Sequence, residues 1–323
     1  MAYAALDTIL DDEYIAFANS SSSPFGYNHF AGTGGGASNM QYGLGQTALS
    51  LVTAGDVVQA AQWNSLFTAM NNIANHTNNT LTSTTAVTAG DVIQIKSALA
   101  ADLATLAASV AAGCPNATAL TTSSALQTVT TAAEGWDSTA NQEVSITWAS
   151  GDAMRFYFNQ GGKVRITVGT TQASVNPKDT SFIDLGTAIG NLDIAAQATT
   201  RSGTGETVTT DGLANGFHDL TTGYTTLLTL TSDNSNYTSN SVRIQAKLDA
   251  AVGTAVTMTI QMTATDSATD DQYTSPNTSG VPAAVKDTPR MVTTLFAIRP
   301  TTAEGLATVY DEASTATVSN TTT

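Results

Sequence analysis

Apolar residues in the first 113 positions recur at spacings of three and four, the period of a helix that packs on a core. A short acidic helix is predicted over 4–18. Two longer helices are predicted to begin within the related stretches VTAGDVVQAAQWNSL, at 52–66, and VTAGDVIQIKSALAAD, at 87–102. In both, Gly turns the chain, and Asp can accept hydrogen bonds from the free N–H groups at a helix start. The pattern predicts two similar strand–turn–helix units.

Each of the two predicted long helices has a narrow apolar stripe and almost no charged face. The helices can pack on each other as an antiparallel hairpin, or their stripes can meet those of other copies around a symmetry axis. Our hypothesis is the second arrangement. It predicts an oligomer interface made by the stripe residues Trp63, Phe67, Met70, Leu99, Leu103 and Leu106.

From residue 144 the apolar positions alternate, which is typical of strands with one buried face. The segment from Asn159 to Gly162 predicts the turn of a hairpin between two of these strands. SFIDLGTAIGNL, at 181–192, fits either a helix or a strand. Strands are predicted at 144–150, 153–158, 163–168, 225–230, 241–248, 255–264 and 291–298.

Together these patterns predict an α+β protein, in which an arm and an Ala-rich helical repeat region precede a mainly antiparallel β-sandwich or jelly-roll-like domain. The Gly- and aromatic-rich stretch after Phe25 predicts an extended arm that lies against a neighbouring subunit. The predicted regions are an arm with a short acidic helix (1–50), the helical repeats (51–113), a linker (114–143), the β-rich domain (144–300) and a C-terminal tail (301–323).

The charge distribution argues against nucleic-acid binding. The chain has 11 Lys and Arg against 26 Asp and Glu, a net charge of −15, and its first positively charged side chain is Lys96. Binding to phosphates needs clustered cations, which this sequence does not supply. No apolar run has the roughly 18 residues that a membrane-spanning helix needs. A single cysteine, Cys114, excludes an internal disulfide.

Candidate chemistry is sparse. Gly32 to Ala37 matches a dinucleotide-binding pattern, but the strand and helix that this motif requires are not predicted around it. His29, His76 and His218 lack metal-type spacing, and a helix-capping role is expected for His76. We therefore expect no enzyme activity, no cofactor and no metal.

Carboxylate clusters are the remaining candidates for catalysis or metal binding. The run TDSATDDQ, at 265–272, is weakly similar to a calcium loop, but a solvated loop between strands is the preferred interpretation. The clustered acids are Asp11, Asp12, Glu13, Asp266, Asp270, Asp271, Asp311 and Glu312.

Several segments resemble virion structural proteins of large tailed bacteriophages, those of marine and cyanobacterial hosts above all. GDAMRFYFNQGGKVRIT, which begins at Gly151, is similar to their D-A-x-R-x-F-F-N-x-G-G-x-I/V-R segment, and GDVVQAAQWNSL, at 55–66, to their G-D-x-I-x-A-x-x-W-N-x-L segment. Weaker similarity continues at 216–227 and 237–246. The second repeat departs from the pattern, because Trp-Asn is missing after VTAGDVIQ.

The resemblance implies a non-enzymatic virion protein, assembled in the host cytoplasm as a symmetric homo-oligomer with other virion proteins. A trimer is expected, in a tail fibre or appendage first, a neck or collar second and a head decoration third. One alternative is a receptor-binding module that holds a host surface glycan through loop residues such as Tyr237 and Tyr273. The second alternative is a capsule-degrading enzyme that uses Asp270.

Overall fold

The protein is described by a computed structural model, and the chain divides into two compact units. The first unit comprises 1–119, 151–161 and 300–310, and the second comprises 120–150, 162–299 and 311–323. The structure describes residues 11–23, 25–30, 48–53, 55–76, 79–88, 96–112, 120–123, 125–131, 136, 138–159, 161–171, 177–234, 237–267, 288–300 and 312–322. These residues form helices and antiparallel sheets, with more strand than helix, so the predicted α+β class is confirmed.

Among the described residues of the first unit, the regular secondary structure is helical, and extended segments connect the helices. The short α2 contacts α1, α3 and α4, and α5 contacts α3. Apolar residues at helical spacing on α3 and α4 form the buried faces of this unit, as their pattern predicts. The helices are α1 (Asp11–Asn19), α2 (Tyr27–Phe30), α3 (Ala60–His76), α4 (Lys96–Ala112) and α5 (Gly151–Asn159).

The turn before α3 differs from the predicted helix cap. Gly55 has φ of 93°, a conformation that glycine adopts without strain. The Asp56 carboxylate accepts from the Thr53 N–H at 3.2 Å and so closes its own turn, four residues before the helix begins. The Gln62 side chain supplies the cap instead, because its Oε1 accepts from the Gln59 N–H at 2.9 Å. The corresponding turn of the second repeat, at 89–95, lies outside the described residues.

The second unit contains two six-stranded antiparallel sheets, numbered in chain order. The first sheet contains β1 (Leu120–Thr122), β2 (Gln127–Thr130), β4 (Lys163–Thr171), β5 (Asn191–Ile194), β6 (Thr199–Arg201) and β11 (Arg290–Pro300). The second contains β3 (Thr139–Trp148), β7 (Thr207–Asp211), β8 (Thr225–Thr231), β9 (Ser241–Leu248), β10 (Thr257–Thr265) and β12 (Glu312–Thr322).

Strand order joins distant parts of the chain in both sheets. The first sheet runs β1-β11-β4-β5-β6, with β2 also paired to β11. The second runs β12-β3-β10-β9-β8-β7, in which β7 to β10 form a meander of consecutive neighbours. β3 and β10 pair without interruption, from Thr147 opposite Thr257 to Thr139 opposite Thr265. The predicted strands that begin near 163, 225, 241, 255 and 291 are confirmed.

Each sheet buries one face, because apolar residues alternate with polar ones along its central strands. Helix α6 (Pro177–Ile189) packs on β4 and also contacts β8 and β9. Its approach to β4 is close, since a Cβ added at Gly186 would lie 2.7 Å from the Val168 carbonyl oxygen. The ambiguous segment at 181–192 is therefore mostly helix, and β5 begins directly after it.

A buried glutamine on β3 ties the two sheets together. The Gln142 Nε2 group donates to the Val129 carbonyl at 3.1 Å and to the Met291 carbonyl at 3.0 Å. Its Oε1 accepts from the Thr293 hydroxyl at 2.6 Å. The amide therefore has a partner for three of its four hydrogen-bonding positions, as a side chain in a dry core requires.

The predicted strand at 153–158 is wrong, because these residues lie within α5. Ala153, Met154, Tyr157 and Phe158 are buried, and their spacing is helical even though the segment also alternates. The predicted hairpin turn is likewise corrected. Gly161, with φ of 89°, follows the end of α5, and its N–H donates to the Phe158 carbonyl at 3.0 Å.

Two predicted irregular regions contain strands. β1, β2 and the first half of β3 lie in the predicted linker at 114–143, and β12 lies in the predicted C-terminal tail. β12 pairs with β3 along nearly its whole length, from Glu312 opposite Trp148 to Thr322 opposite Ala140. Threonine is a good strand former, so these Thr-rich stretches are stable once a neighbouring strand is present. The linker and tail assignments are therefore corrected.

Candidate functional site

The six residues predicted to form an oligomer interface lie in the core of the first unit. Their exposed fractions are all between 0 and 2%: Trp63, Phe67, Met70, Leu99, Leu103 and Leu106. The Trp63 ring contacts the rings of Tyr14 and Phe17 on α1, with centroids 5.6 and 6.0 Å apart. Helix α1 therefore covers Trp63, and all six residues are buried within the chain itself, so the interface assignment is corrected to an intrachain core.

A groove of about 690 Å³ runs beside α3. Residues on one side of α3, at helical spacing, supply small and polar side chains to it, and two tyrosines and the segment 48–50 supply the rest. The lining residues are Tyr14, Tyr27, Ala48, Leu49, Ser50, Ala61, Gln62, Asn64, Ser65, Thr68, Ala69 and Asn72.

Two asparagines fix the chain around this groove. The Asn28 Nδ2 group donates to the Leu49 carbonyl at 3.0 Å, and its Oδ1 accepts from the Leu49 N–H at 2.7 Å. Asn64 binds Val87 in the same way, with both distances 2.9 Å. Each amide replaces the hydrogen bonds that a neighbouring strand would make, so two extended segments are attached to helices by single side chains.

The groove is lined by uncharged groups. Burial raises the pKa of Tyr27 to about 12 and also raises the pKa of Tyr14, so both phenols are neutral at physiological pH. The Tyr14 hydroxyl donates to the Ser50 carbonyl at 3.3 Å. Hydroxyls and amides of this kind can hydrogen-bond a neutral polar partner such as a peptide backbone, but they offer no acid–base pair.

Sequence reasoning missed Asp102, which lies on the buried side of α4. Its carboxylate accepts from the Thr82 and Ser83 N–H groups at 3.0 and 2.9 Å and from the Ser83 hydroxyl. It therefore holds the turn that leads toward the second repeat. The sequence contains a signal for this residue, because Asp102 is an acidic residue on the apolar stripe of the predicted helix. It lies three residues after Leu99 in an otherwise uncharged run.

The two histidine side chains that the structure describes pack against aromatic rings. The His29 ring stacks on Phe25, with centroids 4.4 Å apart and planes 8° apart, and His218 is buried beside Phe217. His76 ends α3, but its side chain lies outside the described residues, so its capping role stays a prediction. Within the described part of the chain, no three His, Cys, Asp or Glu side chains form a group that could hold a metal ion.

Two of the predicted carboxylates have structural partners. Asp11 accepts from the Gly55 N–H at 2.8 Å and so holds the turn before α3. Asp266, from the weak calcium-loop candidate, instead binds the Lys178 ammonium at 2.9 Å in the interior of the second unit. Asp270, Asp271 and Tyr273 lie outside the described residues, as do Asp311, Cys114 and the stretch from Gly32 to Ala37.

One polar cluster of the second unit was not predicted. The Glu143 Oε1 atom accepts from the Tyr224 hydroxyl at 2.6 Å and from the Gln261 amide at 2.7 Å. The Lys247 ammonium lies 4.3 Å from the centre of the Tyr224 ring. Burial and then the hydrogen bond to Glu143 raise the pKa of Tyr224. By contrast, Tyr237, predicted as a glycan-binding loop residue, is buried.

None of the helices described has the length and apolar content needed to cross a membrane. Comparison of the chain with protein-family models, with curated proteins and with solved structures finds no match.

Proposed function

We propose that this chain is a non-catalytic structural protein of a bacteriophage virion. It is assembled in the host cytoplasm, and it acts by binding copies of itself and other virion proteins. Within the particle, a tail fibre or appendage is the first candidate location, a neck or collar the second and a head decoration the third.

The observation that carries this proposal is the structural role of the residues in the two segments that resemble virion proteins. In GDVVQAAQWNSL, Trp63 packs in the helical core and Asn64 holds the Val87 backbone. In GDAMRFYFNQGGKVRIT, Met154 and Tyr157 are buried in the first unit, and Val164 is buried in the second. These motif residues build the framework of each unit, and four of them, Ala61, Gln62, Asn64 and Ser65, also line the groove. Use in the framework suits a structural role.

We also propose that the two sheets of the second unit form a sandwich of the jelly-roll-like kind. Support comes from the alternation of buried and exposed residues on their central strands and from the bonds of Gln142 across the sheets. The Asn320 amide of β12 adds a second such bond, to the Thr130 carbonyl at 2.6 Å. A covered interior of this kind resists local opening.

A homo-oligomer, with a trimer expected, remains part of the proposal. Its interface must lie elsewhere than the apolar stripe, because the stripe residues are buried within the chain. In the first unit Val57 is 75% exposed and Leu51 is 46% exposed, on the segment that follows the wall of the groove. Both are apolar side chains in water on one short segment, and contact with another surface would remove them from water. These two residues replace the buried stripe as the candidate interface.

The mass of the native full-length chain tests this assembly. We expect a trimer for the unmodified protein and a shift to monomer for Val57→Asp. Val208→Asp is the matched control, because Val208 is also an exposed valine, 40% accessible, but lies on the edge strand β7 of the second unit. A monomeric unmodified protein at micromolar concentration would contradict the oligomer, and equal effects of both variants would contradict its location.

The virion location is tested separately, by labelling. Antibodies raised against the purified chain should decorate intact particles at one defined structure when viewed by electron microscopy. Decoration of a fibre, a collar or the head would choose among the three locations. Absence of the chain from purified particles by mass spectrometry would contradict the virion proposal.

The polar cluster around Tyr224 favours a second function, recognition of a host surface glycan. Proteins bind sugars with aromatic faces and with hydrogen-bonding carboxylates and amides, and Tyr224, Glu143 and Gln261 supply these groups together. Glycan-array binding that disappears in Tyr224→Ala but persists in Val208→Asp would support this function. Absence of binding by the assembled protein would leave the purely structural role.

A further inference from the structure

The second unit contains a lysine and an aspartate in contact, away from water. Lys178 is in the first turn of α6, and Asp266 is the first residue after β10. The Lys178 Nζ and the Asp266 Oδ2 are 2.9 Å apart, and the two side chains are only 3% and 1% exposed. An amine nitrogen is thus held against a carboxyl group whose carbon is one bond further away.

A buried asparagine positions the two elements that carry these groups. The Asn240 Nδ2 group donates to the Ser181 hydroxyl at 3.1 Å, and that hydroxyl donates to the Lys178 carbonyl at 2.8 Å. On its other side, Asn240 accepts from the Ser267 N–H at 3.2 Å, directly after Asp266. Asn240 therefore connects the start of α6 to the end of β10.

A ring contact and a backbone hydrogen bond fix the elements that carry the pair. Phe182 is one helical turn after Lys178, and its ring contacts the Trp136 ring edge-on, with centroids 5.2 Å apart. Trp136 is itself fixed, since its Nε1 donates to the Pro289 carbonyl at 2.8 Å. Ser138, two residues later, accepts from the Asp266 N–H at 2.9 Å. The reacting groups are therefore held in a dry, rigid place.

We propose that Lys178 and Asp266 condense to an intramolecular isopeptide bond. The Lys178 nitrogen attacks the Asp266 carboxyl carbon, a C–N bond forms, and one C–O bond of the carboxyl group breaks. The ammonium and the carboxylate together contain the two hydrogens and the oxygen that leave as one water molecule. The product is a neutral secondary amide, and no oxidant, reductant or further reactant is needed.

Physical chemistry favours this step at a buried ion pair. The step begins with transfer of one proton within the pair, from the ammonium to the carboxylate, which gives an amine nucleophile beside a carboxylic acid and removes two charges from a buried place. Fixed proximity replaces a bimolecular encounter, which corresponds to effective concentrations of about 10⁵ M or more. The released water enters the bulk solvent, and the amide removes the need to keep two charges desolvated.

The bond would join positions separated by 88 residues. In a chain with one cysteine, it supplies the covalent constraint that a disulfide supplies elsewhere, with no dependence on redox conditions. This inference does not depend on the proposed virion function, because it concerns only chemistry within the second unit.

Intact-mass measurement of the purified full-length chain tests the proposal. We expect a mass lower than the sequence mass by one water molecule. Trypsin should then release the peptides 166–201 and 248–286 as one linked species, because a modified Lys178 is not cleaved. This linkage separates the isopeptide from loss of water by cyclisation at Asp211–Gly212, which would leave the two peptides unconnected.

Two substitutions provide matched comparisons. Lys178→Arg keeps the positive charge beside Asp266 but cannot form the amide, so it should have its full sequence mass. Lys247→Arg, on the partly exposed cation over Tyr224, should still lack one water. Asn240→Ala should raise the unlinked fraction in freshly made protein. Full sequence mass in the unmodified protein, or water loss that persists in Lys178→Arg, overturns the proposal.

Discussion

Single buried or half-buried polar side chains in this protein hold backbone segments that no strand or helix would otherwise pair. Asn28 and Asn64 each bind both backbone groups of one residue, and Asp102 binds two successive N–H groups. Each such contact replaces hydrogen bonds to water, so its removal leaves buried donors and acceptors without partners. Stability at these places therefore depends on individual residues.

Asn64→Ala should lower the free energy of unfolding of the helical unit by about 2 kcal/mol, because two hydrogen bonds to Val87 are lost. Urea unfolding followed by the helical circular dichroism signal measures this change. Asn72→Ala is the control, since Asn72 is exposed on the same helix and also lines the groove. Equal losses in the two variants would contradict the role of Asn64.

Alkaline pH should destabilise the helical unit through Tyr27. Burial raises the pKa of its phenol from 10.0 to about 12, so the unfolded chain ionises first as pH rises. The contribution of Tyr27 to stability is complete below pH 10 and is lost as pH rises through 12. The helical signal of Tyr27→Phe should fall less across this window than that of the unmodified protein. Identical pH profiles would contradict the assignment.

At the scale of elements, the sequence predicts a strand or helix well when its pattern has one period. The bounds of β9 equal those of the strand predicted from SVRIQAKL at 241–248, because strict alternation is typical of a sheet with one solvent-exposed face. α5 was mistaken for a strand, since residues 153–158 alternate locally while the four buried positions repeat every four. β12 was missed because a Thr-rich edge strand has no apolar alternation to detect.

The packing of α6 on β4 gives a prediction with an internal control. Gly186→Ala should destabilise the second unit by about 1–3 kcal/mol, because its methyl group would press on the Val168 carbonyl oxygen. That loss should appear even though alanine favours helices over glycine by about 1 kcal/mol. Gly169→Ala, on β4 itself, places a methyl group in open space.

Chemical unfolding of both variants distinguishes close packing from helix propensity. If propensity decided the outcome, Gly186→Ala would be more stable than the unmodified protein. If the contact with Val168 decides it, Gly186→Ala loses stability while Gly169→Ala changes by less than about 0.5 kcal/mol.

At the scale of the whole molecule, an apolar stripe predicts burial but not the identity of the covering surface. The stripe on α3 and α4 was correctly recognised as buried and wrongly assigned to another copy. Tyr14 and Phe17 of α1 cover Trp63, and this contact spans a sequence separation that local periodicity does not record. The Lys178–Asp266 pair was missed for the same reason, since its members are 88 residues apart.

The variant Leu103→Asp distinguishes between an interface of two copies and an intrachain core. At an interface between copies, the charge would release a folded monomer with its helices intact. In an intrachain core, where Leu103 is 1% exposed, a buried carboxylate should unfold the helical unit, because an unpaired charge in a core costs several kcal/mol. We expect loss of the helical circular dichroism signal and retention of the sheet signal. Ala104→Asp, one residue later on the exposed side of α4, should leave both signals unchanged.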